Sequence, residues 1–171
     1  MNQIRLARPG DLDEIWPLVQ RAVADMNARG NDQWGEDYPT RENYAADIEN
    51  GVLWCVTDGE SGAILGVGAI TCRHEPDYAT VPFTCPEPAV VMHRVAVDPS
   101  VMRRGVAGML FSQFEEEGRR CGVEALRIDT YSLNDRMQAL ILKQGFTFVA
   151  DTHFSKRSLP YHCYEKILKE V

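Results

Sequence analysis

The order of periodic segments predicts a mixed β-sheet covered by helices, an α/β (or α+β) fold with residues 1–171 as one domain. Three observations carry this. Residues 90–144 alternate strand, helix, strand and helix patterns. Two apolar runs, 52–57 and 64–71, flank Asp58-Gly59-Glu60-Ser61-Gly62, whose turn chemistry makes them a hairpin. Hydrophobic residues make up 44% and charged residues 25%, enough apolar material for a core.

The elements follow in order. Residues 4–6 alternate as a short first strand. Asp11 with Glu14 three residues on has the form of a capping box. Leu12, Ile15, Val19, Val23 and Met26 then recur at helical spacing up to Arg29-Gly30, with Pro17 set to bend the first turns. Residues 31–39 form a polar, aromatic loop. Thr40 caps a short helix over 44–49, which Asn50-Gly51 ends. After the hairpin, Pro76, Pro82, Pro86 and Pro88 make 73–88 hostile to regular structure. Residues 90–97 are a strand ending at Asp98-Pro99. A helix over 105–120 places Val106, Leu110 and Phe114 on one face. A strand over 125–130, a helix over 135–144 stopped by Gly145, and strands over 146–150 and 161–167 complete the chain.

Composition narrows the function. The net charge is −7 with no basic stripe, which argues against a nucleic-acid partner. No run approaches the ~18–20 apolar residues of a membrane span, and no signal-peptide pattern opens the sequence, so a cytoplasmic location is expected and no membrane partner. Five scattered cysteines, Cys55, Cys72, Cys85, Cys121 and Cys163, show no metal-ligand spacing. They are expected to be reduced packing residues, and no metal is expected.

The chemistry concentrates in Val95-Ala96-Val97-Asp98-Pro99-Ser100-Val101-Met102-Arg103-Arg104-Gly105-Val106-Ala107-Gly108. A strand runs through a turn into a Gly- and Ala-rich helix start. The first turn of a helix leaves N–H groups without intrahelical acceptors, and they lie at the positive end of the dipole. Such an end suits a phosphate or diphosphate. Gly105, Ala107 and Gly108 lack bulk, and Arg103 and Arg104 bring positive charge to an acidic protein. A nucleotide-hydrolase loop needs Gly-Lys-Ser/Thr, and a dinucleotide fingerprint needs three spaced glycines; neither is present.

Met102-Arg103-Arg104-Gly105-Val106-Ala107 instead resembles the Gln/Arg-x-x-Gly-x-Gly/Ala acyl-CoA loop of the GNAT N-acetyltransferase superfamily, with Met102 departing from the first position. The resemblance continues through Asn134 and through the helix ending in Gly145-Phe146. It implies a GNAT-like mixed sheet whose central parallel strands splay apart around the pantetheine arm of acetyl-CoA. Val95, Ala96 and Val97 would bond the pantetheine amides, and the diphosphate would sit on Met102, Arg103, Arg104, Gly105, Val106, Ala107 and Gly108. Asn134 would contact the cofactor or order the strand end beside it. Dimers are frequent in such proteins, and a homodimer is allowed although no residue demonstrates one.

Proton transfer points to His93. Strand alternation places Val91, His93, Val95 and Val97 on one face and Met92, Arg94 and Ala96 on the other, so His93 would share the cofactor's face. Its ordinary pKa near 6.5 suits a relay at neutral pH. A structural histidine in the sheet is the competing role. Many relatives carry a tyrosine acid where this chain has Ile141. Tyr131 is the candidate substitute, with Ser132 a weaker one and packing the alternative for Tyr131. On the acceptor side, Trp34 and Tyr38 of the 33–39 loop are candidate substrate contacts, with a packed loop as the alternative. Arg73, His74, Glu75 and Asp77 are a second candidate wall or a solvated turn. Glu115, Glu116, Glu117, Arg119 and Arg120, with Arg5 and Arg8, are expected to be solvated surface.

The resemblance implies direct transfer of an acetyl group from acetyl-CoA to the amine of a small, unidentified molecule. The alternative from another class is a catalytically inactive acyl-CoA-binding module, a sensor or partner domain, which Met102 and Ile141 keep open.

Overall fold

A computed structural model describes residues 1–154 and 156–168. Seven strands and four helices follow in the order β1 (Gln3–Leu6), α1 (Leu12–Ala28), α2 (Arg41–Glu49), β2 (Leu53–Thr57), β3 (Ile64–Cys72), β4 (Val90–Val97), α3 (Val106–Cys121), β5 (Ala125–Tyr131), α4 (Asp135–Lys143), β6 (Thr147–Thr152) and β7 (Tyr161–Ile167). The strands form one mixed sheet of order β1-β2-β3-β4-β5-β7-β6. The chain resolves into two compact units, residues 1–70 with 92–113 and residues 71–91 with 114–171, so β4 and α3 each contribute to both.

In the first unit, β1, β2 and β3 pair antiparallel, from Gln3↔Thr57 to Leu6↔Trp54 and from Leu53↔Ala69 onward. The hairpin expected around 58–62 is present: the Asp58 carboxylate accepts from the Glu60 and Ser61 amides. The capping box forms three residues earlier than the sequence pattern suggests. Asp11 caps the Arg8 amide at 2.7 Å, opening a one-turn 3-10 helix before α1. Glu14, freed from that duty, accepts the Ile64 amide at 2.7 Å. Arg5 is no bland surface residue either, since its guanidinium grips Asp11 at 2.7 and 3.1 Å. The second cap is as expected: Thr40 accepts from the Asn43 amide, and Asn43 returns the bond. Ile15, Leu18, Val19, Tyr44, Ile48, Leu53, Val67 and Ala96 share one core.

In the second unit, Val90 and Val91 of β4 pair in parallel with Leu126 and Arg127 of β5. β7 lies between β5 and β6 and is antiparallel to both. Residues 73–88 lack strands and long helices, as the prolines require, yet they are firmly docked. Tyr78 and Val81 enter a core with Val91 and Cys163. Arg127, 4% exposed, donates to the Cys85 carbonyl at 2.6 Å and lies 4.1 Å over the Phe83 ring. Glu165 accepts from the Thr84 and Cys85 amides. A buried charge is stable only when paired and hydrogen-bonded, and this segment supplies both kinds of partner. The acidic run of α3 is also less solvated than expected, because Glu115 pairs with Lys166 of β7.

Candidate active site

The strand–turn–helix segment lies in the first unit. Asp98 starts the turn by accepting from the Ser100 amide and hydroxyl, while Arg21 of α1 pairs with it at 2.7 Å. Burial would raise its carboxyl, but these hydrogen bonds and the Arg21 charge hold it below the ordinary range. The Asp98 amide donates to Leu65, which ties the end of β4 to β3. Beyond the turn, Met102 is extended, Arg103 adopts φ 68° and Gly105 φ 77°. A left-handed non-glycine residue is uncommon and costs about 1–2 kcal/mol, so the turn is held by its surroundings. The Met109 amide donates to Gly105, making Gly105 the helix cap. Val106, Ala107 and Gly108 therefore occupy the first turn, whose donors have no helical acceptor.

This shape fits a diphosphate. A Cβ added at Gly105 or Gly108 would meet nothing within 4 Å, so no other part of the chain packs against either glycine on that side. Met102, Arg103 and Arg104 are exposed beside it. One expected donor is engaged, since the Arg104 amide bonds the Val101 carbonyl at 3.3 Å.

Gly66 and Gly68 stand inside β3, where glycine signals close approach of another segment. A Cβ at Gly66 would lie 2.7 Å from Val106 Cγ1, 3.1 Å from the Ala96 carbonyl and 3.3 Å from Val97 Cγ2. A Cβ at Gly68 would face Met92, Val95 and Leu110 together. The two glycines therefore seat β4 and the start of α3 against β3.

The same contacts correct the expected faces of β4. Met92 and Val95 meet over Gly68, and Val97 lies over Gly66 on that same side, whereas Ala96 packs with α1 and α2 residues in the core opposite. Simple alternation would separate Met92 from Val95. The break is at Arg94, whose φ of 51° interrupts the pleat. His93 therefore does not inherit the Val95 face by counting. It is half-buried, with Nε2 shielded from solvent.

Arg94 is held in this conformation by a buried pair. Its Nε and Nη2 bond both oxygens of Asp47 at 2.6 Å, and Nη1 donates to the Tyr38 hydroxyl at 3.1 Å. Burial alone would lower the guanidinium's pKa; the Asp47 hydrogen bonds and charge reverse this and hold it above the ordinary value. Tyr44, fully buried, donates from its hydroxyl to the Arg94 carbonyl, and burial pushes that hydroxyl well above its usual range. No sequence signal joins Asp47 to Arg94, because only the fold brings α2 to the bulge.

The acceptor candidates separate. Trp34 is 7% exposed and belongs to the core, while Tyr38 is half-buried with its hydroxyl on Arg94. Tyr131 and Asn134 lie in the second unit. Tyr131 is fully buried against Tyr161, and its hydroxyl accepts the Leu159 amide at 3.3 Å. Asn134 caps α4 by accepting from the Met137 amide. Ile141 is fully buried. Among the described residues no group of three or more His, Cys, Asp or Glu side chains is placed to hold a metal ion, and no helix is long and apolar enough to cross a membrane.

The sequence model of the acetyltransferase (GNAT) family matches residues 19–146, more than half of the chain and inclusive of the whole strand–turn–helix segment. The chain belongs to the acetyltransferase (GNAT) family. Among curated proteins, an IAA acetyltransferase of Azospirillum brasilense is 26% identical over 131 residues, covering 75% of this chain and 78% of the relative. A GNAT-family acetyltransferase structure from Streptococcus agalactiae is 28% identical, with a TM-score of 0.80 over 99% of this chain and 96% of its own. A putative acetyltransferase from Salmonella typhimurium, solved with acetyl-CoA, shares the fold at 20% identity and a TM-score of 0.70, covering 99% and 95% of the two chains. This GNAT chain thus has the mixed α/β fold that its motifs implied.

Proposed function

We propose that this acetyltransferase moves the acetyl group of acetyl-CoA directly onto the nitrogen of a small-molecule amine. The observation that carries the reading is the turn at 102–105, with Arg103 and Gly105 left-handed, opening onto the unobstructed first turn of α3. Family membership and the acetyl-CoA-bound neighbour of the same fold support it.

In this reading the amides of Val106, Ala107 and Gly108, with Arg103 and Arg104, hold the diphosphate, and the backbone of Val95–Val97 holds the pantetheine amides. When bound, acetyl-CoA supplies the activated acetyl thioester. An acceptor ammonium resembling lysine has a pKa of about 10.4, so only about 0.04% is neutral at pH 7. His93 takes that proton, directly or through water, and leaves the nitrogen nucleophilic. Tyr131 is the side-chain candidate for protonating the departing thiolate. Its complete burial and bond to Leu159 favour a packing role instead, with solvent as the donor. Tyr38, positioned by Arg94, is the acceptor-side aromatic that retains surface.

Calorimetry with CoA, followed by release of the CoA thiol over a panel of amines and IAA, tests the proposal. Binding with turnover on an amine supports it. Binding without turnover on any acceptor assigns the inactive acyl-CoA-binding module. No binding at millimolar CoA overturns both.

A further inference from the structure

Two ties fix the proline-rich segment 73–88 on the strands of the second unit. The Tyr78 hydroxyl donates to Asp129 of β5 at 2.5 Å, and Glu165 of β7 accepts the Thr84 and Cys85 amides. Tyr78 is 3% exposed and meets the Phe83 ring edge-on at 5.3 Å. On the other side, β6 ends at Thr152, whose partner in register is Tyr161. The Phe154 ring then lies 4.9 Å from the Tyr161 ring and packs on the same small core as Tyr78. Between these anchored walls is a cavity of about 340 Å³, whose lining includes Asp77, Ala79, Thr80, Thr152, His153 and Phe154. Every lining residue belongs to the second unit. The volume falls at the small end of the range for small-molecule sites.

The lining chemistry is mixed and of one sign. Asp77 brings a carboxylate, and no lysine or arginine is among the lining residues. Among the described residues the Asp77 carboxylate makes no ion pair or hydrogen bond with another side chain. A carboxylate at the wall of a cavity, in a chain of net charge −7, attracts a cation and disfavours an anion. The Thr80 and Thr152 hydroxyls accept hydrogen bonds from an ammonium, as does the His153 imidazole when neutral. Phe154 supplies apolar surface and a ring face that a cation tolerates.

We propose that this cavity binds a small organic ammonium ion carrying an apolar arm, and that it selects the acceptor, a role that rests on the amine-transfer reading above. The ammonium sits on Asp77 and the threonine hydroxyls, and the arm lies on Phe154. A carboxylate on the acceptor would face Asp77 with no cation to pair it. Alkylamines and arylalkylamines are therefore taken in preference to amino acids.

The test uses the full chain, titration calorimetry and three probes of similar shape: 2-phenylethylamine hydrochloride, 2-phenylethanol and 3-phenylpropionate. The ammonium is expected to bind at least about tenfold more tightly than the other two, the margin of a hydrogen bond to a charged group. Asp77→Asn is expected to erase that preference. Ala79→Trp, which fills the cavity, is expected to abolish binding. Both positions are exposed, so the melting midpoints should hold. No binding of the ammonium at millimolar concentration, equal binding of all three probes, or binding that survives both substitutions overturns the proposal. The two readings also fail separately. If 2-phenylethylamine binds as expected but no amine releases the CoA thiol, the transfer reading falls and the ammonium site stands. If amines turn over with KM unchanged in Asp77→Asn and Ala79→Trp, the selecting role of the cavity falls and the transfer reading stands.

Discussion

Substituting Gly66 by alanine tests whether β3 seats the 102–108 turn and the start of α3. The new Cβ would stand 2.7 Å from Val106 Cγ1, where carbon–carbon contact is comfortable at about 3.5–4.0 Å. Roughly 1 Å must open, and Val106 is 2% exposed, so the first residue of α3 has little room to retreat. Overpacking of this kind costs about 1–3 kcal/mol. At about 2–4 °C per kcal/mol for a chain of this size, the melting midpoint should fall by roughly 2–12 °C. The same displacement moves the amides of Val106, Ala107 and Gly108, which the proposed function assigns to the diphosphate. Loss of one charge-assisted hydrogen bond is worth about 1.5–3 kcal/mol, so the CoA Kd should rise by about tenfold or more. Differential scanning calorimetry and titration calorimetry read the two effects. Val106→Ala removes the clashing methyl, so the Gly66→Ala/Val106→Ala pair should recover about 1 kcal/mol or more of coupling and much of the affinity. Unchanged stability and affinity in Gly66→Ala, or strictly additive losses in the pair, would refute the reasoning.

Three further outcomes are expected. Asp47→Ala leaves the Arg94 cation buried and unpaired and should cost about 3–5 kcal/mol in denaturant unfolding, with Asp47→Ala/Arg94→Met recovering much of it; a loss below about 1 kcal/mol counts against the pair's role. His93→Ala should lower kcat by about 10²–10⁴ while the melting midpoint barely moves, and an unchanged kcat rules out the base. The Arg5 hydrogen bond holds the Asp11 carboxyl below its ordinary 3.8, so its stabilising contribution is complete above that pH and disappears as pH falls through the lower folded value. Thermal melts should therefore show Arg5→Met below wild type at neutral pH, with the gap closing in acid; a gap constant across pH would count against this linkage.

Much of the architecture is readable from residue order because its signals are local. Thr40 with Asn43, the Asp58 turn and the apolar period of α3 each act within a few residues, and each element stands where those signals place it. The turn at 102–108 is legible for the same reason. Its small residues stand together at the start of one helix, and its motif is continuous. The capping box lies three residues earlier than the Asp11–Glu14 spacing suggests, because Asp11 accepts the Arg8 amide while Arg5, a partner outside that spacing, grips its carboxylate.

The amino-acid sequence by itself determined the family, the alternation of strands and helices, and the loop at 102–108. Only the tertiary structure decided the face presented by each residue of β4, the insertion of β7 between β5 and β6, and the docking of residues 73–88 around Arg127. The physical reason is range. Caps, turns and helix starts are set by neighbours in the chain, whereas the Asp47–Arg94 pair that stabilises a left-handed residue inside a strand joins positions that come together only after the sheet and α2 have packed.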